Sequence, residues 1–148
     1  MMLVSGVDGG ATKTVAVVGR LDGTLLASAR APSSKVLKGS RELGNKGIVP
    51  TIVLAEFYAQ TYKTAGRDVA DKYFREIADS GLEIAPLAQE ISYRAGLLRP
   101  KYQEKVPWGD YIVAATALHS KAKLVLTEDP HFASLNEIEA RRTSEAGL

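Results

Sequence analysis

From Ile48 onward the chain alternates two kinds of apolar pattern, and this alternation limits the fold more than any other feature of it. Residues 52–64 form an apolar run that begins behind Pro50 and Thr51 and stops at Gly66. Pro just inside the start and Gly just past the end is the order expected of a helix. Over 68–80, Val69, Ala70, Tyr73, Phe74, Ile77 and Ala78 recur at helical spacing, and Gly81 ends the stretch. A third helix is expected over 87–98, where Leu87, Ile91, Ala95 and Leu98 share a face. Gly109 and Asp110 open a fourth over 111–119. Short apolar runs at 82–85 and 123–127 read as strands, 101–108 as a polar loop, and 136–142 as a short polar helix. Helices alternating with short apolar strands predict an α/β fold, a three-layer α/β/α sandwich around a mostly parallel sheet. In such sheets ligands bind beyond the carboxyl ends of the strands.

The first third is different. Residues 3–7 and 14–18 read as strands, Asp8-Gly9-Gly10 as a turn, and Asp22-Gly23 as a hairpin dipeptide before a returning strand or first helical turn at 24–29. Residues 1–50 hold seven Lys/Arg against three Asp/Glu and eight of the 13 glycines, whereas the rest holds twelve against fourteen. A chain of 148 residues suits one domain. We divide it into an atypical N-terminal hairpin segment (1–35), a body (36–142) and a tail (143–148). The absence of Cys excludes disulfides, thiolate metal sites and thiol nucleophiles. No apolar run reaches the roughly 18 residues of a membrane span, and no secretory signal opens the chain, so a cytoplasmic protein without a membrane partner is expected. A net charge of +2 permits a nucleic-acid partner without requiring one.

The candidate chemistry is acidic. Glu56 stands inside the apolar run Ile52-Val53-Leu54-Ala55-Glu56-Phe57-Tyr58. It either lies against the protein body, which demands a partner, a proton or a metal, or faces water from an otherwise buried helix. Asp110 precedes Tyr111-Ile112-Val113-Ala114-Ala115 and can be an ordinary helix cap. The run of alanines also suits a closely packed central helix, which would place Asp110 at the middle of the fold. Asp129 follows the strand at 123–127 and is either a site residue or an Asp-Pro turn residue; Glu128 points elsewhere. Asp8 and Asp22 are candidates for a fourth carboxylate, each equally readable as a turn residue. Convergent carboxylates make a site for Mg²⁺ or Mn²⁺ and hence for phosphodiester hydrolysis. His119 reads as a helix-end residue and His131 as a loop residue, neither with a partner at metal spacing. No Ser stands in a nucleophile elbow.

Three stretches carry a resemblance: Ile48-Val49-Pro50-Thr51-Ile52-Val53-Leu54-Ala55-Glu56, Trp108-Gly109-Asp110-Tyr111-Ile112-Val113-Ala114-Ala115, and Leu124-Val125-Leu126-Thr127-Glu128-Asp129-Pro130-His131-Phe132. In this order, with 54 residues from Glu56 to Asp110 and 19 from Asp110 to Asp129, they resemble the acidic motifs of PIN-domain ribonucleases of the VapC-toxin type. The resemblance covers about residues 36–142. It implies Mg²⁺- or Mn²⁺-dependent endoribonuclease activity, with Glu56, Asp110, Asp129 and one N-terminal acid as catalytic and metal-binding residues. Asp22 is favoured over Asp8 for that fourth place, on its spacing and the Gly23-Thr24 that follows. An RNA substrate, a small antitoxin protein and a homodimer are the partners expected with it. The antitoxin would reach the groove between the helices at 52–64 and 68–80.

Residues 1–35 depart from that family. Gly6-Val7-Asp8-Gly9-Gly10-Ala11-Thr12-Lys13-Thr14 resembles the first phosphate-binding hairpin of BadF/BadG-type ATPases and N-acetylglucosamine kinases, which implies a phosphate cradle at Gly9, Gly10, Thr12 and Lys13. The rest of the kinase fold is absent. Two alternatives therefore stand beside the nuclease: a catalytically incomplete PIN-like binding module, and a nucleotide- or phosphate-binding protein using that turn.

Overall fold

All four residues of the segment Gly47–Pro50 are buried, which an extended chain achieves when both of its faces are covered. The computed structural model, which describes residues 2–4, 17–19, 25–28, 47–79, 81–102, 106–122, 124–127 and 129–141, shows what covers them. Its strands are β1 (Met2–Val4), β2 (Val17–Gly19), β3 (Leu25–Ser28), β4 (Gly47–Pro50), β5 (Glu83–Ala85), β6 (Val125–Leu126) and β7 (Ala140–Arg141). Its helices are α1 (Thr51–Ala65), α2 (Arg67–Ala78), α3 (Gln89–Lys101) and α4 (Trp108–His119), with a 3-10 turn at Pro130–Ser134.

Five strands form one sheet in the order β5-β4-β1-β6-β7, and every neighbouring pair is parallel. The N-terminal segment thus supplies the central strand, with Leu3 in register with Ile48 on one side and Val125 on the other. The crossover from β4 to β5 runs outward along the sheet, and the crossover from β5 to β6 runs back across it. Right-handed connections then place α1 and α2 on one face and α3 and α4 on the other. This is the α/β/α sandwich expected from the sequence. Separately, β2 and β3 pair antiparallel, as the hairpin reading required. Among the described residues no helix is long and apolar enough to cross a membrane.

Packing explains the local choices. Pro50 ends β4 and is the residue before α1, so strand turns into helix with no loop between. Gly66 alone separates α1 from α2. Its φ of 86° is open to glycine and strained for other residues, and its N–H closes on the Tyr62 carbonyl at 3.0 Å. Phe57 and Tyr73 bring their rings within 6.4 Å across the α1–α2 contact. On the other face Ala95 of α3 and Ala114, Ala115 and Ala117 of α4 are almost wholly buried, small enough to let helix and sheet approach closely.

One expectation fails. Of the stretch 136–142, expected to be a polar helix, residues 136–141 are a turn followed by the edge strand β7. Val125 N–H donates to the Glu139 carbonyl (2.8 Å) and Thr127 N–H to the Arg141 carbonyl (3.0 Å). The Tyr102 hydroxyl donates to the Glu137 carboxylate and accepts from Asn136 N–H, and Lys101 pairs with Glu137. These long-range bonds outweigh the modest helix preference of Glu137-Ile138-Glu139-Ala140-Arg141. Trp108, expected in a loop, is the first residue of α4.

Candidate active site

Asp129 stands just beyond β6, at the carboxyl end of a parallel strand. Its own N–H donates to Oγ1 of the buried Thr127 (3.0 Å), and its Oδ1 accepts from His131 N–H (2.8 Å). Pro130 follows as the first residue of the 3-10 turn, where its missing N–H costs nothing. Asp129 is therefore a turn residue, and the turn is what aims it. Two residues on, Phe132 is 1% exposed and pins the turn into the core.

Asp110 occupies the first turn of α4, a helix that Pro107 precedes without a side-chain cap. Its side chain is 15% exposed, and Oδ2 is buried without a hydrogen bond. Burial, with the negative charges of Asp129 and Glu56, pushes its pKa up to about 7 against the pull of nearby His131. The cap reading of this residue fails, since no capping bond forms.

The structure adds a residue that sequence reading misplaced. His131 is not an isolated loop residue. Its Nδ1 lies 2.8 Å from Asp129 Oδ1 and 3.4 Å from Asp110 Oδ2. One donor atom each from Asp110, Asp129 and His131 falls within 4.8 Å of the others, an arrangement that can hold a metal ion. The signal was the spacing Asp129-Pro130-His131, because a 3-10 turn returns the side chain at i+2 over the capping residue. His119 closes the opposite end of α4, about 14 Å along the helix axis from Asp110.

Glu56 approaches from α1. As a residue it is exposed, yet its carboxyl group lies over Gly109, where a Cβ would stand 3.0 Å from Oε1. Desolvation there, and then the charge of Asp129, raise its pKa above the ordinary glutamate value. Both sequence readings of Glu56 hold in part: it faces solvent, and it meets the protein body at Gly109, the one glycine of α4. Asp8 and Asp22, and the proposed phosphate cradle at Gly9, Gly10, Thr12 and Lys13, lie outside the described residues.

Gly109→Ala follows directly. The added methyl meets the mobile end of Glu56, so the fold should keep its stability, and alanine should add up to about 1 kcal/mol of helix preference. Glu56 should be pushed aside. Calorimetric Mn²⁺ binding should weaken while the melting temperature holds or rises; unchanged Mn²⁺ binding would show that Glu56 is not part of the site.

The family model for the PIN domain matches residues 24–138, a span that holds Glu56, Asp110, Asp129 and His131 and begins after Asp8 and Asp22. No curated protein matches the chain. Solved structures that share its fold include DNA-bound VapBC from Salmonella typhimurium, with TM-score 0.59 and 16% identity over 75% of this chain and 85% of that one. VapBC2 from Rickettsia felis, bound to a DNA fragment from its promoter, gives TM-score 0.56 and 22% identity over 67% and 76%. Mycobacterium tuberculosis VapC20, described as a toxin cleaving the sarcin–ricin loop, gives TM-score 0.56 and 13% identity over 64% and 73%. With an all-parallel sheet, the three acidic motifs in order and a family match over most of its length, the chain belongs to the PIN domain family.

Proposed function

We propose that this chain is a Mg²⁺- or Mn²⁺-dependent endoribonuclease of the VapC toxin type, hydrolysing RNA phosphodiester bonds at its carboxylate cluster. One observation carries the proposal. A buried Asp110 oxygen without a hydrogen bond faces a second carboxylate and an imidazole. An orphaned buried carboxylate oxygen is costly unless something else completes it, and a hard divalent cation does so. Asp110, Asp129 and His131 would hold the ion together with Glu56 from α1, and the fourth carboxylate would be Asp22 or Asp8. The imidazole tilts the donor set from the all-oxygen one expected toward Mn²⁺ over Mg²⁺.

Bound there, such an ion would neutralise charge on the phosphodiester and acidify a water. The chain's own groups do the rest. Asp129 is oriented by Thr127 and by the His131 N–H, so its carboxylate needs no rearrangement to act. Glu56, whose pKa burial and the charge of Asp129 raise, is placed to take a proton from an attacking water. A small antitoxin protein and a second copy of the chain complete the proposal; VapBC assemblies among the structural neighbours support the first. The α1–α2 face remains the proposed antitoxin site.

The test is cleavage of single-stranded RNA by the purified chain under titrated Mn²⁺ and Mg²⁺. Cleavage should appear with metal, be stronger with Mn²⁺, and stop with chelator. RNA bound but never cut at any metal concentration would give the chain to the binding-module alternative instead.

A further inference from the structure

Asp129 belongs to two places at once. Its Oδ1 meets His131 in the cluster, and the same residue lines a cavity of about 390 Å³ between the 3-10 turn and β7. The cavity therefore adjoins the cluster through a shared residue. Pro130, Phe132 and Ala133 of the turn and Ala140 and Arg141 of β7 form its other walls, four apolar residues and one cation. Its volume stands at the small end of the range for ligand pockets, roughly 300–1,000 Å³, and suits one nucleotide. Arg141 is the last residue of β7 and is in register with Leu126, so its backbone is one strand spacing, about 4.8 Å, from the strand that leads to Asp129. Its guanidinium pairs with Glu139 through Nη2. Both ends of that pair are half exposed, which makes it weak, and a guanidinium has five donors to offer.

We infer that this cavity is a nucleotide subsite, which receives the nucleotide next to the scissile phosphate with its base against the apolar walls and its further phosphate at Arg141. The inference rests on the ribonuclease reading and assigns that site the path of its RNA strand, from the cluster across the turn toward β7. A base held in a stack and paired to another strand cannot enter a cavity of this size, so the subsite selects single-stranded RNA. Glu139 competes with the phosphate for the guanidinium and sets how tightly the strand is held.

The full chain carrying Asp110→Asn, which leaves RNA intact, is titrated in Mg²⁺ with a short single-stranded RNA bearing a fluorescent end label, and label anisotropy is followed across a salt series. Adding Arg141→Ala should weaken binding at least about fivefold and lower the log–log salt slope by about 0.7, the share of one phosphate on a single strand. Adding Ala133→Phe, which fills the cavity from the exposed side of the turn, should weaken binding and leave the slope alone. Adding Glu139→Gln should tighten binding, and the gain should vanish beside Arg141→Ala. Calorimetric Mn²⁺ binding by chains that keep Asp110 should be the same with and without each change, which separates the subsite from damage to the cluster. Affinity and slope indifferent to Arg141→Ala, affinity indifferent to Ala133→Phe, or a Glu139→Gln gain that persists without Arg141 overturns the subsite and leaves the nuclease reading standing. If Ala133→Phe also weakens Mn²⁺ binding, it has moved the turn, and the Arg141 and Glu139 results decide. No RNA binding by anisotropy removes both readings.

Discussion

Asp110→Asn is expected to abolish metal-dependent RNA cleavage and, in the metal-free protein, to raise the melting temperature above neutral pH. The two effects share a cause. Asp110 binds its proton more tightly in the folded chain than in the unfolded one, with a pKa near 7 against an ordinary 3.8. Between those values the folded state carries the extra proton, so stability falls as pH rises through the window and stays low above it. A displacement of about three units corresponds to something on the order of 4 kcal/mol. Asn keeps the shape and removes the charge. Melting curves of the chelated protein should therefore fall by several degrees between about pH 5 and pH 8, and the variant's should stay nearly flat. Glu56, raised in the same direction, leaves a smaller slope of the same sign. For activity, altering a group that merely supports a metal ligand costs about 10–100-fold, so losing the ligand should cost more than about 100-fold. A metal-free melting temperature indifferent to pH would contradict the burial of Asp110. Cleavage surviving with the same metal dependence would remove its role as ligand.

Phe132→Ala should be the most damaging substitution outside the cluster. The ring is 1% exposed and belongs to the 3-10 turn that presents both Asp129 and His131. Emptying such a site typically costs about 3–5 kcal/mol, a large share of a domain's whole stability of about 5–15 kcal/mol. Metal binding should suffer beyond the loss of stability, since the turn loses its anchor. Phe132→Leu keeps most of the volume and separates the two effects. Urea unfolding should place it between wild type and Ala, with Mn²⁺ affinity largely retained. An alanine variant that pays the full stability cost yet binds Mn²⁺ as wild type would show that the turn is held by other contacts.

The body of this fold was legible because its signals are local. Gly66 and Gly81 punctuate helices, the apolar runs are short, and the alanines of α4 announce close packing. Asp110 and Asp129 could be named because one opens and the other follows such an element, and Glu56 because it interrupts an apolar run. His131 was not legible by spacing alone, since its second neighbour, Asp110, comes from another helix. The edge strand β7 was missed for the same reason: two residues acquire their conformation from β6, and nothing within 136–141 encodes it. Gly109 also looked like punctuation. Its part in the site emerges only when Glu56 is seen lying over it.

The position of β1 has a kinetic consequence. Met2–Val4 pairs on one side with a strand more than forty residues downstream and on the other with one more than 120 residues downstream. A ribosome making this chain releases the middle of the sheet first and one of its two supports nearly last. Until Val125 and Leu126 emerge, β4 and β5 can pair with each other, but β1 has a partner along one edge alone. Contacts of such sequence separation slow folding, because the closure of long loops precedes the bonds that reward it. The carboxylate cluster needs β6 as well, through Asp129. Folding and assembly of the cleft are therefore late and nearly simultaneous, and a nascent chain paused before residue 125 should bind no Mn²⁺.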